Sequence, residues 1–443
     1  MTLERPTSSI LRADALGGAI AGRRLFATLA ATWACSLGTT LLTLGIYFYT
    51  AHEFGWGAAL NMTLAAGQGA AYTLGALLAD PMQRRFGARG SLIALHVTLG
   101  ILAALAMFAP AHWQFASILL VYVFIAACNW PMLESLVTAG ADAREMSRRV
   151  GLYNIVWASS GAVAVASAGV MIARWPAILF AVAVASHVIS AIFVAFVPEA
   201  APSSVTSGEG GGTGSCSNDD ISHFQRNPHP NPLPEYRERG PELKPEPELL
   251  HVRTLALWLS RIALPASYVV NFSLSALLPS LPLVKQLSPT MQTLCGSVWL
   301  AARFASFVML GKTIFWHTRP RILLGAAILM LIAFIGITIR PGISREIDLT
   351  AMIASQILLG LSMGMIYSAS LYFGMVLSDG STEHGGYHEA LIGLGSVLGP
   401  GAGAATQYLW PGNTTRAVIA VSAIVGVCIF IAGGASFLIK RRD

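Results

Sequence analysis

Residues 199–252 read EAAPSSVTSGEGGGTGSCSNDDISHFQRNPHPNPLPEYRERGPELKPEPELLHV, the only long hydrophilic stretch in this 443-residue chain. Six long apolar segments precede it, near 25–50, 58–79, 90–110, 114–138, 150–172 and 175–198. Six more follow, near 254–279, 290–311, 322–339, 349–376, 388–409 and 417–439. Each has about the 17 to 25 residues that a helix needs to cross a hydrocarbon core, or slightly more where it includes interfacial turns.

With 54% hydrophobic and 11% charged residues, the chain has too little polar surface for a soluble globular protein. Backbone groups in lipid must be satisfied internally, and runs of this length without period-2 alternation select helices over a barrel. The predicted class is therefore an all-α membrane protein with twelve transmembrane helices in two pseudo-symmetric six-helix bundles. The expected organisation is a tail over 1–24, a first bundle over 25–198, a linker over 199–252, a second bundle over 253–439 and a tail over 440–443.

The net charge of +6 is a topology signal rather than a nucleic-acid signal. With the N-terminus in the cytoplasm, short inner loops and tails carry 16 Lys and Arg residues, from Arg5 to Arg442, against 5 on the outer side. Both termini and the hydrophilic stretch are accordingly expected on the cytoplasmic side of the cell's inner membrane. Five glycines between Gly208 and Gly214 and the prolines from Pro228 to Pro247 make that stretch unable to bury a core. It reads as a disordered tether, with a regulatory docking peptide as the alternative. Five scattered cysteines suggest neither a disulfide framework nor a metal site. The basic start reads as the flank of a retained first helix, not a cleaved signal.

The junctions between apolar segments 2 and 3 and between 8 and 9 echo each other. The first contains Gly75, Asp80, Arg84, Arg85, Gly87 and Arg89; the second contains Gly311, Lys312, Arg319 and Arg321 but no acid. The first junction resembles the loop 2–3 signature of the major facilitator superfamily, although Pro81, Met82 and Gln83 stand where that family usually has a basic residue directly after Asp. Two phrases are similar to bacterial members with unassigned substrates. One is Trp130-Pro131 to Glu134 followed by Arg149 to Asn154, and the other is Gly360 to Tyr372 followed by His388-Glu389 and Gly399-Pro400.

That resemblance implies a secondary transporter working by alternating access, with helices 1, 4, 7 and 10 lining a central cavity. On helix 1, Thr32 and Ser36 belong to a hydroxyl-bearing face with Thr28 and Thr39. These hydroxyls either face the cavity or bond to carbonyls one turn back. Tyr268 and Asn271 on helix 7, and Gln356 and Tyr367 on helix 10, join them as cavity candidates.

A charge within a span costs roughly 3 kcal/mol or more, so Arg261 and Arg303 need a reason to be there. Roughly 10 Å from the inner helix end, by the helical rise, Arg261 can snorkel to the interface; Arg303, at roughly 13 Å, cannot do so easily and reads as a substrate or counter-ion group. Asp80, Glu134 and Glu389 are expected toward cytoplasmic ends, with Glu389 starting helix 11. The predicted cavity therefore lacks a carboxylate, which favours an anionic or neutral polar substrate. An exporter with a neutral aromatic pocket of Tyr72, Trp157, Trp299 and Tyr367 is the alternative.

The cytoplasmic gate candidates are Gly75, Asp80, Arg84, Arg85, Gly87, Arg89, Glu134, Arg149 and Glu389. By resemblance, Asp80 would reach the start of helix 11.

Other motifs carry less. Gly311-Lys312-Thr313 lacks the earlier glycine of a phosphate loop, and Gly393, Gly395 and Gly399 have the wrong spacing for a dinucleotide site. His384 and His388 could ligate a metal from one helical face, but Gly385-Gly386 argues against a continuous helix there. His96 and His187 read as hydrogen-bonded structural groups on outer helices, with proton relay as the alternative. No catalytic cluster, cofactor or metal is expected. The expected partners are a small-molecule substrate and membrane lipid, with a proton left open as coupling ion, no nucleic acid, and a monomeric state. A membrane enzyme or a non-transporting sensor remains the alternative from another class.

Overall fold

A computed structural model describes residues 8–141, 143–197, 247–313, 315–317, 319–339, 342–377 and 382–440. Twelve long helices run through them. In the first half these are α1 (Ser8–Thr40, continued by a π-helical Leu41–Gly45 and by Ile46–Glu53), α2 (Ala58–Ala76), α3 (Ala88–Met107), α4 (His112–Thr138), α5 (Ala143–Arg174) and α6 (Ala177–Ala195). In the second half they are α7 (Pro247–Leu277), α8 (Pro289–Leu310), α9 (Arg321–Thr338), α10 (Arg345–Leu377), α11 (Thr382–Leu409) and α12 (Thr414–Lys440). Short helices at Ala79–Phe86 and Pro282–Lys285 fill two of the connections.

Local signals explain several ends. Ser288 caps α8 by accepting from the Met291 amide, and Pro289 occupies the first turn, where its missing N–H costs nothing. Gly87, at φ 74°, turns the chain between the short helix Ala79–Phe86 and α3, a conformation that a side chain would strain.

Ten of the long helices are apolar and long enough to cross a membrane. The other two, α2 and α11, carry more glycine and polar residues and pack against each other. The most extensive helix packing in the molecule is α2 on α11 and α5 on α8. Each pair takes one helix from each half, and exchanging the halves turns one pair into the other. Burial follows the same plan: 83% of the apolar window of α7 is inside, against 28% for α12.

Small residues let these pairs approach. A Cβ at Gly69 of α2 would strike the backbone of Ser396 and Val397 on α11. A Cβ at Gly169 of α5 would strike Pro289 and Thr293 on α8, and the Gly169 amide donates to Thr293 Oγ1 at 3.0 Å.

The fold differs from the sequence reading in three places. α1 already begins at Ser8, within the stretch expected to be a tail, and α7 begins at Pro247 rather than near 253. The tether expected over 199–252 lies outside the described residues as far as 246.

The third difference matters most. α11 is helical from Thr382, straight through Gly385-Gly386, where a break was expected. Glycine costs a helix about 1 kcal/mol per residue, yet packing overrides that cost here. Gly385 fits against Glu134 and Pro131, and Gly386 against the carbonyl of Ala76. Glu389 consequently sits two turns inside α11, not at its start.

Candidate functional site

A cavity with about 730 Å³ of atom-free space, its open mouth included, lies between the two halves. Eight helices line it. α1 contributes Ser36, Thr39 and Thr40; α2 contributes Gln68, Gly69 and Tyr72; α4 contributes Val123 and Trp130; α5 contributes Tyr153 and Trp157. From the second half come Tyr268, Asn271 and Phe272 of α7, Arg303 of α8, Tyr367 of α10, and Glu389, Ile392 and Ser396 of α11. Helices 1, 4, 7 and 10 therefore share the wall with 2, 5, 8 and 11.

Arg303 is 4% exposed and lies over two indole rings, 4.6 Å from the centroid of Trp157 and 5.0 Å from that of Trp299. Among the described residues it forms no ion pair with a carboxylate, and its Nε has no hydrogen-bond acceptor. The π-faces contribute on the order of 2 kcal/mol of stabilisation to the buried cation, beside the Tyr268 phenol that it also meets. Trp157 also packs edge-on against Tyr367 at 5.1 Å and against Phe307 at 5.5 Å. The wall next to the cation is aromatic.

Glu389 lines the same cavity, which corrects the expectation of a site without a carboxylate. Sequence position along α11 hid this, because the extra two turns of helix carry the residue into the interior. The Tyr72 hydroxyl donates to Glu389 Oε2. Glu134 of α4 lies next to it, and one ligating atom each from Glu134, His388 and Glu389 can be chosen so that all three fall within 4.8 Å of one another.

Of the cavity candidates, Ser36, Tyr72, Trp157, Tyr268, Asn271, Arg303 and Tyr367 reach the wall. Trp299 stands behind Arg303. Thr32 turns away and donates to the Thr28 carbonyl at 2.8 Å, while Gln356 packs beside Cys295 at 3.6 Å. Neither lines the cavity. Gln68, Trp130 and Tyr153 were missed by the sequence reading. Gln68 and Tyr72, like Tyr153 and Trp157, are four residues apart, a spacing that could have marked one face of each helix.

The gate candidates separate into groups. Glu134 and Glu389 meet. Asp80 pairs with Arg84 at 2.8 Å, and both border a cleft shared with Gly386 and Tyr387 of α11. Gly75 packs against the Phe124 carbonyl of α4. Arg149 donates to the carbonyls of Val137 and Ala139 and pairs with Glu145 at 2.8 Å, which ties α5 to the end of α4 within the first half. Arg89 donates to the Ala195 carbonyl at 2.7 Å, Arg85 lies over the Phe86 ring, and Gly87 makes its turn. Arg261 lies over exposed Trp258, away from the cavity.

His96 and His187 are fully buried in the first half. His96 Nε2 bonds with Ser190 Oγ at 2.9 Å and His187 Nε2 with the Tyr122 hydroxyl at 2.6 Å, and the rings stack with centroids 6.1 Å apart.

The family model of the major facilitator superfamily matches residues 28–385. The chain belongs to the major facilitator superfamily. No curated protein matches the sequence. The fold is similar to a crystal structure of an Asp-to-Ala mutant of the nucleoside transporter NupG, at TM-score 0.63 and 11% identity, covering 93% of this chain and 99% of that one. Membership in the major facilitator superfamily makes the protein a multi-pass membrane protein and a secondary transporter of small molecules, not an enzyme.

Proposed function

We propose that this protein carries a small polar solute with a flat or ring-bearing face across the cell's inner membrane. Residues 25–198 and 253–439 act as two bundles that rock about the cavity by alternating access. Both termini and the 199–252 stretch lie in the cytoplasm, and the working unit is a monomer. The observation that carries this reading is the cavity wall itself, drawn from both halves. Aromatic rings supply faces for stacking, while Gln68, Asn271, Arg303 and Glu389 supply both donors and acceptors. Such a wall suits a neutral, hydrogen-bonding solute, and nucleosides are a reasonable first class because the similar structure is described as a nucleoside transporter.

An anionic solute is the second reading, favoured by the absence of an ion pair at Arg303 among the described residues. Thermal-shift screening of purified protein against nucleosides, monocarboxylates and lipophilic drugs, followed by flux in proteoliposomes, separates these outcomes. Nucleoside flux abolished by Arg303→Ala supports the first reading. Flux confined to carboxylates supports the second, and flux confined to drugs supports the aromatic exporter. Ligand binding with no flux of any class would make the protein a sensor.

A further inference from the structure

Three groups with metal-binding chemistry converge inside the first bundle, apart from the cavity. Cys35 comes from α1, His96 from α3 and His187 from α6, and all three are fully buried. The Cys35 sulphur and one ring nitrogen of each histidine lie within 4.8 Å of one another, and no carboxylate joins them among the described residues. None of the three lines the cavity wall. Their scatter along the chain hides the grouping from the sequence.

Hydrogen bonds position this group without satisfying it. His96 Nε2 bonds with Ser190 Oγ at 2.9 Å, and Ser190 also reaches the Ala31 carbonyl of α1 at 2.9 Å. His187 Nε2 bonds with the Tyr122 hydroxyl of α4 at 2.6 Å. Asn129 of α4 donates to Cys35 Sγ at 3.2 Å, and Thr39 Oγ1 lies 3.7 Å from the same sulphur. An amide N–H pointed at sulphur favours a thiolate over a thiol, because hydrogen bonds to a charged acceptor are the stronger ones. Yet Nδ1 of both histidines and Oδ1 of Asn129 have no partner among the described residues. Hydrogen bonding alone therefore leaves three buried polar atoms unpaired here, at a cost of about 1 to 3 kcal/mol each.

We infer that Cys35, His96 and His187 form a binding site for one cuprous ion. A thiolate with two imidazoles suits copper(I) or zinc and not the harder cations. Charge decides between those two. The thiolate and Cu⁺ cancel, whereas Zn²⁺ would leave a net positive charge in a membrane-spanning bundle, with no carboxylate in the group to offset it. On binding, the Cys35 S–H bond breaks, an S–Cu bond forms and the proton leaves to water; each neutral imidazole gives a lone pair, and no oxidation state changes. Metal–ligand bonds of about 2.0 to 2.3 Å set three ligands about 3.7 Å apart, so the group contracts by about 1 Å at most. Ser190, Tyr122 and Asn129 are positioning residues, since they hold the rings and the sulphur. The ion ties α1 to α3 and α6 and leaves the cavity wall untouched.

Titration of the whole reduced protein in detergent with Cu⁺, in competition with bicinchoninate, tests this. One ion should bind per chain. Binding should weaken by at least about a hundredfold in Cys35→Ala and in His96→Gln, since even loss of an outer partner costs up to that much. Cys295→Ala, whose thiol lies in the second half beside Gln356, should bind as wild type does. X-ray absorption at the copper edge should show one sulphur and two nitrogen neighbours. Absence of stoichiometric binding overturns the inference, as does binding that survives both ligand substitutions or is lost in Cys295→Ala. A shell of sulphur alone overturns it too, and so does displacement of Cu⁺ by an equal concentration of Zn²⁺. A merely hydrogen-bonded cluster would also lose stability in these variants, so melting is compared with and without Cu⁺. The ion should raise the melting temperature of wild type and leave that of Cys35→Ala unmoved; an equal rise in both, or none in wild type, overturns the site. Should Cys35→Ala not fold, Cys35→Ser keeps the side chain's size and should lose the sulphur signal, and an unchanged spectrum overturns the assignment.

Discussion

The guanidinium of Arg303 on α8 lies 4.6 Å from the ring centroid of Trp157 on α5, so a cation from one bundle is covered by an aromatic face from the other. A desolvated pair of this kind contributes about 2 kcal/mol, and it exists only while α5 and α8 are in contact. The pair therefore forms only where the two bundles pack together at the cavity wall.

Replacing Trp157 with Leu should weaken transport by roughly thirtyfold, the fold-change that corresponds to the loss of about 2 kcal/mol. Trp157→Phe should fall between the two, because a smaller ring retains part of the interaction. Arg303→Lys should fail to restore wild-type flux, since an ammonium does not stack as a planar guanidinium does. Initial rates of flux at several solute concentrations check all three; wild-type rates in Trp157→Leu would remove the pair from the mechanism.

Gly69→Val should abolish flux while leaving membrane insertion intact, because the new side chain must displace the backbone of Ser396 and Val397. Gly90→Ala provides the contrast. Nothing approaches that position, and the change should stabilise α3 by up to about 1 kcal/mol without affecting flux. Comparing flux per folded molecule with melting temperature in detergent distinguishes the two.

His187→Ala should lower stability by about 1 to 3 kcal/mol, because it strands the buried Tyr122 hydroxyl, and should leave solute affinity unchanged. The expected readout is a lower melting temperature with unaltered flux per folded molecule. Lost flux at an unchanged melting temperature would turn the pair of His96 and His187 into a proton relay.

Arg84→Ala should cost less than about 1 kcal/mol, since the Asp80–Arg84 pair joins partners four residues apart and Arg84 is half exposed. Added salt should shrink even that difference, as expected for a screened surface pair. A melting comparison at low and high ionic strength measures it.

Most of the site's chemistry could be read from residue types, and much less of its geometry. Arg303 stood out because a lone charge in an apolar run is costly, and the structure places it in the cavity. Tyr268 and Asn271 lie on one helical face and reach the same wall. Thr32 shares that kind of spacing but satisfies its hydroxyl one turn back, a choice that spacing cannot distinguish. Glu389 was misplaced because Gly385-Gly386 looked like the end of a helix. Those glycines are instead the small residues that let α11 press against Glu134 and Ala76.

The sequence by itself determined that the chain is an all-helical membrane protein of long, mostly apolar segments divided by a hydrophilic stretch, because hydropathy and helix length are local properties that lipid enforces. It also supplied the loop that resembles the superfamily. Only the tertiary structure decided that Arg303 is held by indole rings rather than by an acid, and that Glu134 and Glu389 face each other. Trp299 lies one turn from Arg303 on α8, but the Arg303–Trp157 and Glu134–Glu389 relationships join residues far apart in the chain and on different bundles, and they arise from close packing between helices, which no local pattern encodes.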